Sequence, residues 1–374
     1  MISTMSNRII CLGEILFDCL ANELGQSIDK VSSWTMYPGG APANTACALV
    51  KLGTPTAFVG CIGRDSLGKD LLQLLKKTGV NTEGVQFTAD FPTRQVYVLR
   101  SSTGDRSFAG FGERPTAPIG AKSLRDAGAL APSDERRKRP SQALEVSSKD
   151  ADSGTRELGK QSPDAFADTC LKSEHLLEKL FIDAEYLVIG TLELAYPQSR
   201  QAIFQALELA KKHSLKVVLD VNHREKFWLD STEAKPLIHK LWQYIDFLKL
   251  AQEEALWLFD TDDAGTIYHS LNSLEGVVVT NGENEVSYCI SQQEGKVKPF
   301  SVVVRDTTGA GDAFLAGLIH QLCQIPKQSL CNPKIVQQII TYACAVGGLS
   351  ATKEGAISAQ PTADEVTAFL QKSL

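Results

Sequence analysis

The chain has 374 residues, enough for one large α/β domain or two medium ones whose core needs no covalent staple. A net charge of −6 and a pI near 5.6 argue against a nucleic-acid binder or a protein drawn to anionic membranes. The nine cysteines (Cys11, Cys19, Cys47, Cys61, Cys170, Cys289, Cys323, Cys331, Cys344) stand singly, in odd number and without a Cys-x-x-Cys pair, which excludes a disulfide framework or a zinc site and fits a reduced, cytoplasmic protein.

The first strand-like run, "RIICLGEIL", begins within a few residues of the start, leaving no room for a leader peptide, and no stretch is apolar for long enough to span a membrane. Short apolar runs then alternate with helical segments. "RIICLG", "TAFVGCIG", "EYLVIG", "KVVLDV", "DFLKLA" and "GVVVTNG" read as strands, and "NTACALVKLG", "LGKDLLQLLKKTG", "SRQAIFQALELAKKH" and "DAFLAGLIHQL" as helices. Several strand runs are apolar throughout, as expected when helices cover both faces of a parallel sheet. The alternation predicts a single doubly wound α/β domain over residues 1–374.

Three segments depart from the alternation. "ILFDCLAN" with "WTMYPGG", and "RQVYVLRSSTGDRSFAGF", read as strands of a small antiparallel sheet within about 14–38 and 93–113, expected to form a lid over a ligand cleft. Residues 114–163 contain no Phe, Tyr, Trp or Cys and are crowded with Ala, Ser, Pro and charge, including "DERRKRP". Such a segment cannot bury enough apolar surface to offset its ordering entropy, so it is expected to be a disordered insertion.

Two glycine-rich stretches are candidate sites, and a third is excluded. "GRDSLGKD" satisfies G-x-x-x-x-G-K but carries Asp70 where a phosphate-binding loop requires Ser or Thr, and a carboxylate there would face phosphates with no metal between them. In "YPGGAPANTACALVKLG", Gly39 and Gly40 precede a helix with Asn44 near its first turn. Paired glycines admit a small polar ligand close to the backbone, Asn44 offers a donor and an acceptor, and Asp18 can accept two hydroxyl hydrogen bonds; a turn, a helix start and a strand end would show the same residues. In "RDTTGAGDAFLAGLI", small residues lead into an apolar helix, so the N–H groups of Thr308 through Gly311 could point outward at an anion. Asp312 beside such a site repels a phosphate unless it takes a proton from an attacking hydroxyl; a plain Asp cap on a glycine-rich turn is the other reading.

Taken together, "GE-x-L-x-D", "PGGAPAN" and "DTTGAGDAF" resemble the two signatures of the ribokinase-like (PfkB) family of sugar kinases, and "GGAPAN" and "GDRSFAGFG" resemble its fructokinase branch. The resemblance spans nearly the whole chain apart from the insertion. It implies a ribokinase-like fold with Asp312 as general base, Gly309, Ala310 and Gly311 as anion hole, and Asp18, Gly39, Gly40 and Asn44 on sugar-binding positions. Asp306 and Thr308 fall where family members hold a monovalent cation, usually K⁺. "TNGENE" resembles the nucleotide turn, with Thr280 and Gly282 near the phosphates, and "DVNHR" the segment lining the transfer cleft, with Asp220, Asn222 and Arg224. "ACAVGGLSATKEGA" is expected to border the adenine.

The family's Asn-x-x-Glu pattern, connected with Mg²⁺, appears here as "AQEE", keeping Glu254 but with Ala251 for Asn, and the nucleotide turn has Glu285 where a glycine is usual. The implied reaction is transfer of the γ-phosphoryl of ATP to the primary hydroxyl of fructose, with Mg²⁺ and K⁺ as cofactors, sugar and ATP as the only expected partners, and a homodimer possible through the lid. Ribose, 2-keto-3-deoxygluconate or nucleoside kinases of the family share all these residues, and an inactive binding protein would differ only in function.

Overall fold

The computed structural model describes residues 8–101, 106–112, 161–271 and 273–373. The expected insertion, 114–163, lies outside the described residues except for 161–163, and so does the Thr103-Gly104-Asp105 turn.

The chain runs through β1 (Ile9–Leu12), β2 (Leu16–Ala21), β3 (Trp34–Gly39), α1 (Ala41–Lys51), β4 (Thr56–Gly63), α2 (Ser66–Thr78), β5 (Val85–Thr88), β6 (Gln95–Arg100) and β7 (Arg106–Phe111). It continues with β8 (Tyr186–Ile189), α3 (Pro197–Lys212), β9 (Lys216–Asp220), α4 (Ala234–His239), β10 (Phe247–Ala251), α5 (Gln252–Phe259), α6 (Ala264–Ser270) and β11 (Gly276–Thr280). The last elements are β12 (Val286–Ile290), β13 (Gln293–Val297), α7 (Ala310–Gln324), α8 (Pro333–Ser350) and α9 (Ala363–Ser373). Every predicted strand and helix is present at its place in the chain.

The main sheet has the order β13-β12-β11-β10-β9-β8-β1-β4-β5. Its pairs from β11 to β5 are parallel, and β12 and β13 add an antiparallel hairpin at one edge. Alternate side chains of one strand enter different cores: Ile9 and Cys11 pack in a cluster with α1, α7 and α8, while Ile10 and Leu12 pack in another with α3 and α6. Period 2 with both faces covered is why β1 reads as a continuous apolar run. Winding reverses at β1, which pairs with β4 on one side and β8 on the other, so the carboxyl ends of the strands around it border the crevice where doubly wound sheets bind ligands.

The small sheet has the order β3-β2-β6-β7. Its β2–β3 and β6–β7 pairs are antiparallel as expected, but β2 and β6, which join them, run parallel. The reason lies in the connection: between β3 and β6 the chain crosses the main sheet through β4 and β5, a crossover long enough to return β6 in the direction of β2. In "GRDSLGKD", Asp65 and Gly68 fix the start of α2. Asp65 caps α2 by accepting the Gly68 N–H at 2.7 Å, and its other oxygen accepts the Thr93 N–H at 2.7 Å. A Cβ on Gly68 would lie 2.2 Å from the Gly63 carbonyl oxygen, so close backbone contact, not phosphate binding, accounts for this glycine.

Candidate active site

Helix α7 begins at a left-handed residue, Gly309 (φ 78°), where a Cβ would fall 2.9 Å from that of Ala356. The turn brings Asp312 into the first turn of the helix, buried below the crevice. Asn44, in the first turns of α1, donates from Nδ2 to Asp312 Oδ2 at 2.8 Å, while its own Oδ1 is buried with no donor. The two glycine-rich motifs, 268 residues apart, therefore meet at one carboxylate.

Burial pushes the Asp312 carboxyl up to about 6, helped by the negative charge of Asp220; the Asn44 hydrogen bond, Lys249 and Arg224 pull the other way. A carboxylate so tuned is ionised at neutral pH and still basic enough to accept a proton. Lys249 on β10 was not anticipated from the sequence. Its Nζ donates to both Asp220 oxygens at 2.9 Å, and all of these groups are buried. Burial alone would lower the lysine, but Asp220, then Glu254 and Asp312, outweigh it and hold the ammonium charged. A Cβ on Gly311 would lie 3.2 Å from that Nζ, so the glycine keeps open the space between the helix start and a fixed cation. Such a space suits a phosphoryl group.

The other expected site residues divide into two groups. Asp18 and Gly39 come together on neighbouring strands, with a Gly39 Cβ lying 2.7 Å from Asp18 Oδ2, and Gly40 (φ 107°) presses on the Glu14 carbonyl, where a Cβ would lie at 2.5 Å. Both glycines are thus required by the close approach of neighbouring atoms. Asp220 ends β9, Asn222 turns the chain through a left-handed conformation (φ 36°), and Arg224 is exposed yet near enough to act on Asp312.

Thr280 ends β11 with its hydroxyl donating to Leu250 O at 3.3 Å, and Gly282 (φ 53°) turns the chain into open space. Beside this turn lies a cavity of about 430 Å³ lined by Gln252, Asn281, Asn284, Glu285, Lys296 and Lys298. The unusual Glu285 faces this cavity, and the turn forms without the further glycine.

Three expectations are refined by the geometry. The N–H groups of Thr308 to Gly311 do not all point outward: that of Thr308 donates to Asp306 Oδ1 at 2.9 Å and that of Ala310 to Thr307 O at 3.1 Å, which leaves those of Gly309 and Gly311 for an anion. Tightening the turn requires these internal bonds. Glu254 accepts from the His223 N–H at 2.7 Å and the Ala251 N–H at 2.8 Å, one bond to each oxygen, so its first task is to hold the β9 loop against the start of α5. Among the described residues no group of three or more His, Cys, Asp and Glu side chains is placed to hold a metal ion. Asp306 accepts from the Gly355 N–H at 3.0 Å as well as from that of Thr308, which ties the turn before α7 to the segment that follows α8.

The model of the pfkB family carbohydrate kinases matches residues 6–133 and 133–363. Probable fructokinase-2 of Arabidopsis thaliana is 29% identical over 369 residues, covering 97% of this chain and 95% of its own length. Fructokinase-2 of Solanum lycopersicum is 28% identical, covering 99% and 98%. Among solved structures, a fructokinase with bound ATP from Xylella fastidiosa is similar with a TM-score of 0.75 at 26% identity, covering 97% of this chain and 98% of the other. A fructokinase double mutant from Vibrio cholerae O395, bound to fructose, ADP and potassium ion, has the same fold with a TM-score of 0.73 at 23% identity, covering 97% and 98%.

Proposed function

Because the chain belongs to the pfkB family of carbohydrate kinases, we propose that it transfers the γ-phosphoryl group of ATP to the primary 6-hydroxyl of D-fructose, giving D-fructose 6-phosphate and ADP. The observation that carries the reading is the buried Asp312 at the start of α7, held by Asn44 and bordered by Lys249 and the Gly311 backbone.

Asp312 takes the hydroxyl proton as the sugar oxygen forms its bond to the γ-phosphorus and the bond to the ADP oxygen breaks. The N–H groups of Gly309 and Gly311 and the Lys249 ammonium meet the charge on the transferring oxygens. Asp18, Gly39, Gly40 and the unpaired Oδ1 of Asn44 form the sugar side, and Thr280, Gly282, Asp220, Asn222 and Arg224 the nucleotide side. Mg²⁺, when bound with the nucleotide, neutralises phosphate charge; Glu254 would reach it through water, and Asp306 and Thr308 would hold K⁺. Proton abstraction supplies about 10²–10⁴-fold, and positioning the remainder.

The whole chain acts as one kinase domain in this reading, with the small sheet as lid and 114–163 as an insertion in it. Its partners are the sugar and ATP, with no nucleic acid or membrane; no helix among the described residues is long and apolar enough to cross one. A reduced cytoplasm is the expected setting. Strands β3 and β7 stand at the edges of the small sheet among the described residues, which favours a homodimer formed lid to lid.

The test is ATP consumption by the purified chain with Mg²⁺ and K⁺ against fructose, glucose, ribose, 2-keto-3-deoxygluconate and adenosine as sole acceptors. A clear preference for fructose is expected. Preference for another acceptor would move the assignment within the family, and turnover of none would overturn it.

A further inference from the structure

Beneath the sugar side of the crevice lies a pair of carboxyl groups that the phosphoryl-transfer chemistry does not use. Glu14 follows β1, and Glu193 follows β8; both are buried, 5% and 2% exposed. Glu14 Oε1 accepts the N–H of Ala41 at 2.8 Å, the first residue of α1. Glu193 packs on Gly13, where a Cβ would lie 3.0 Å from its Oε1, and both of its oxygens are buried without a well-formed hydrogen bond; its own backbone N–H acts on the carboxyl only weakly against burial. Gly13 is the residue just before Glu14, and the Glu14 carboxyl acts on Glu193 both through its charge and through a side-chain hydrogen bond. Two buried acceptors facing each other have no attractive contact unless one of them carries a proton.

The surrounding charges do not supply a counter-ion. Arg94 is buried among Phe111, Phe166, Tyr196 and Phe227 with its Nε on Asp168 at 2.6 Å; its Nη1 is buried without a partner, and Arg94 is not among the main groups acting on either glutamate. Tyr196, which accepts from Arg94 at 3.2 Å, passes its own hydrogen bond to Phe227 O. The remaining groups that act on the pair, Asp168 and Asp312, are acids. We infer that Glu14 and Glu193 share one proton in the working protein, and that this carboxyl–carboxylate pair is a positioning element that fixes the start of α1, on which Gly40 and Asn44 stand.

The electrostatics agree in direction. Burial pushes Glu14 up to about 7, and burial together with the Glu14 charge pushes Glu193 well above the ordinary glutamate value. The folded state therefore holds protons that the unfolded chain releases near the ordinary glutamate value. The stabilising effect of these protons is complete at acid pH and is lost as pH rises through about 7. Losing the shared proton places two like charges beneath the Ala41 N–H and loosens the sugar side, whereas Asp312 titrates on the acid side and acts on the chemical step. The two events are separable.

The experiment has three arms on the full chain. The infrared spectrum of protein with isotope-labelled glutamate should show a protonated carboxyl C=O stretch at neutral pH that is absent from Glu193→Gln and fades at alkaline pH. Thermal stability should fall as pH rises through about 7 more steeply in the wild type than in Glu193→Gln, which retains a donor toward Glu14 without a titrating proton. The KM for sugar should rise several-fold over the same range in the wild type, with kcat less affected, and the rise should be absent in Glu193→Gln and restored by neither salt nor added ATP. Absence of the infrared band in the wild type, or parallel stability curves, would overturn the inference. A raised KM at every pH in Glu193→Gln would overturn it too and make Glu193 a group that faces the ligand. Only the kinetic arm rests on the sugar-kinase reading, so if that reading fails, the first two arms still decide the proton.

Discussion

Asn44 Nδ2 stands 2.8 Å from Asp312 Oδ2, so the first turns of α1 and α7 are joined through the atom expected to receive the proton. The bond points the carboxylate, favours its ionised form, and leaves Oδ1 of Asn44 as a buried acceptor for a hydroxyl. Replacing Asp312 with Asn removes the base while keeping an oxygen that can accept from Asn44. The expected result is a fall in kcat of about 10²–10⁴-fold with the KM for sugar nearly unchanged. Steady-state kinetics beside a direct sugar-binding titration checks it, and a variant within a few-fold of wild type would remove Asp312 from the mechanism.

The pH profile follows from the same carboxylate. Activity requires the ionised form, so kcat/KM should fall as pH drops through about 6. Stability runs the other way, because a folded value raised above the ordinary one means that the protonated form is favoured in the folded state, and that advantage is lost as pH rises through about 6. Asp312→Asn should therefore be more stable than wild type at neutral pH, by on the order of 1–3 kcal/mol, while being nearly inactive. Asn44→Ala removes a bond that lowers the Asp312 value, so its acid limb should move to higher pH. Profiles of kcat/KM and denaturation midpoints across the same buffers test all three signs.

Much of the site was legible in the sequence because its conformational demands are local. Gly39, Gly40, Gly309 and Gly311 mark places where a Cβ would meet Asp18, the Glu14 carbonyl, Ala356 and Lys249, and a run of glycines beside an apolar helix signals such places. Lys249 was hidden inside "DFLKLA", which reads simply as an apolar strand. The available signal was that a lysine in a strand covered on both faces must meet a buried counter-charge, and Asp220 closes the preceding strand in the same way. Glu193 was concealed likewise in "GTLELAYP". The parallel pairing of β2 with β6 could not be read at all, since it joins residues 78 positions apart, such as Phe17 and Gln95, and does not depend on the strands' own pattern. The β12–β13 hairpin was missed because β13, "QEGKV", is short, polar and on an edge.

Lys249 and Asp220 form a buried pair whose two halves should fail differently. Lys249→Met leaves Asp220 charged and buried without its partner, which typically costs about 3–5 kcal/mol, and it removes the cation beside Gly311. Adding Asp220→Asn should restore most of that stability because no uncompensated charge remains. Turnover should stay low in both variants if the ammonium meets the transferring phosphoryl group. Denaturant unfolding with ATP-dependent turnover separates the two roles; recovery of activity together with stability would reduce Lys249 to a structural counter-ion.

The two glycines of the turn make a matched pair of tests, since each excludes a side chain for a different reason. At Gly309 the backbone is left-handed, which costs a residue with a Cβ about 1–2 kcal/mol, and that Cβ would press on Ala356 at 2.9 Å. Gly309→Ala should therefore lower the melting temperature and loosen the contact between the α7 turn and the segment that follows α8. At Gly311 the helix conformation accepts alanine readily, but its methyl would enter the space facing Lys249 Nζ, at 3.2 Å. Gly311→Ala should melt at or above the wild-type temperature while losing affinity for ATP and most of its turnover. Calorimetry with and without ATP distinguishes the cases: stabilisation by the nucleotide should persist in the first variant and be lost in the second. If Gly311→Ala keeps normal turnover, the space before Lys249 is not where the phosphoryl group is transferred.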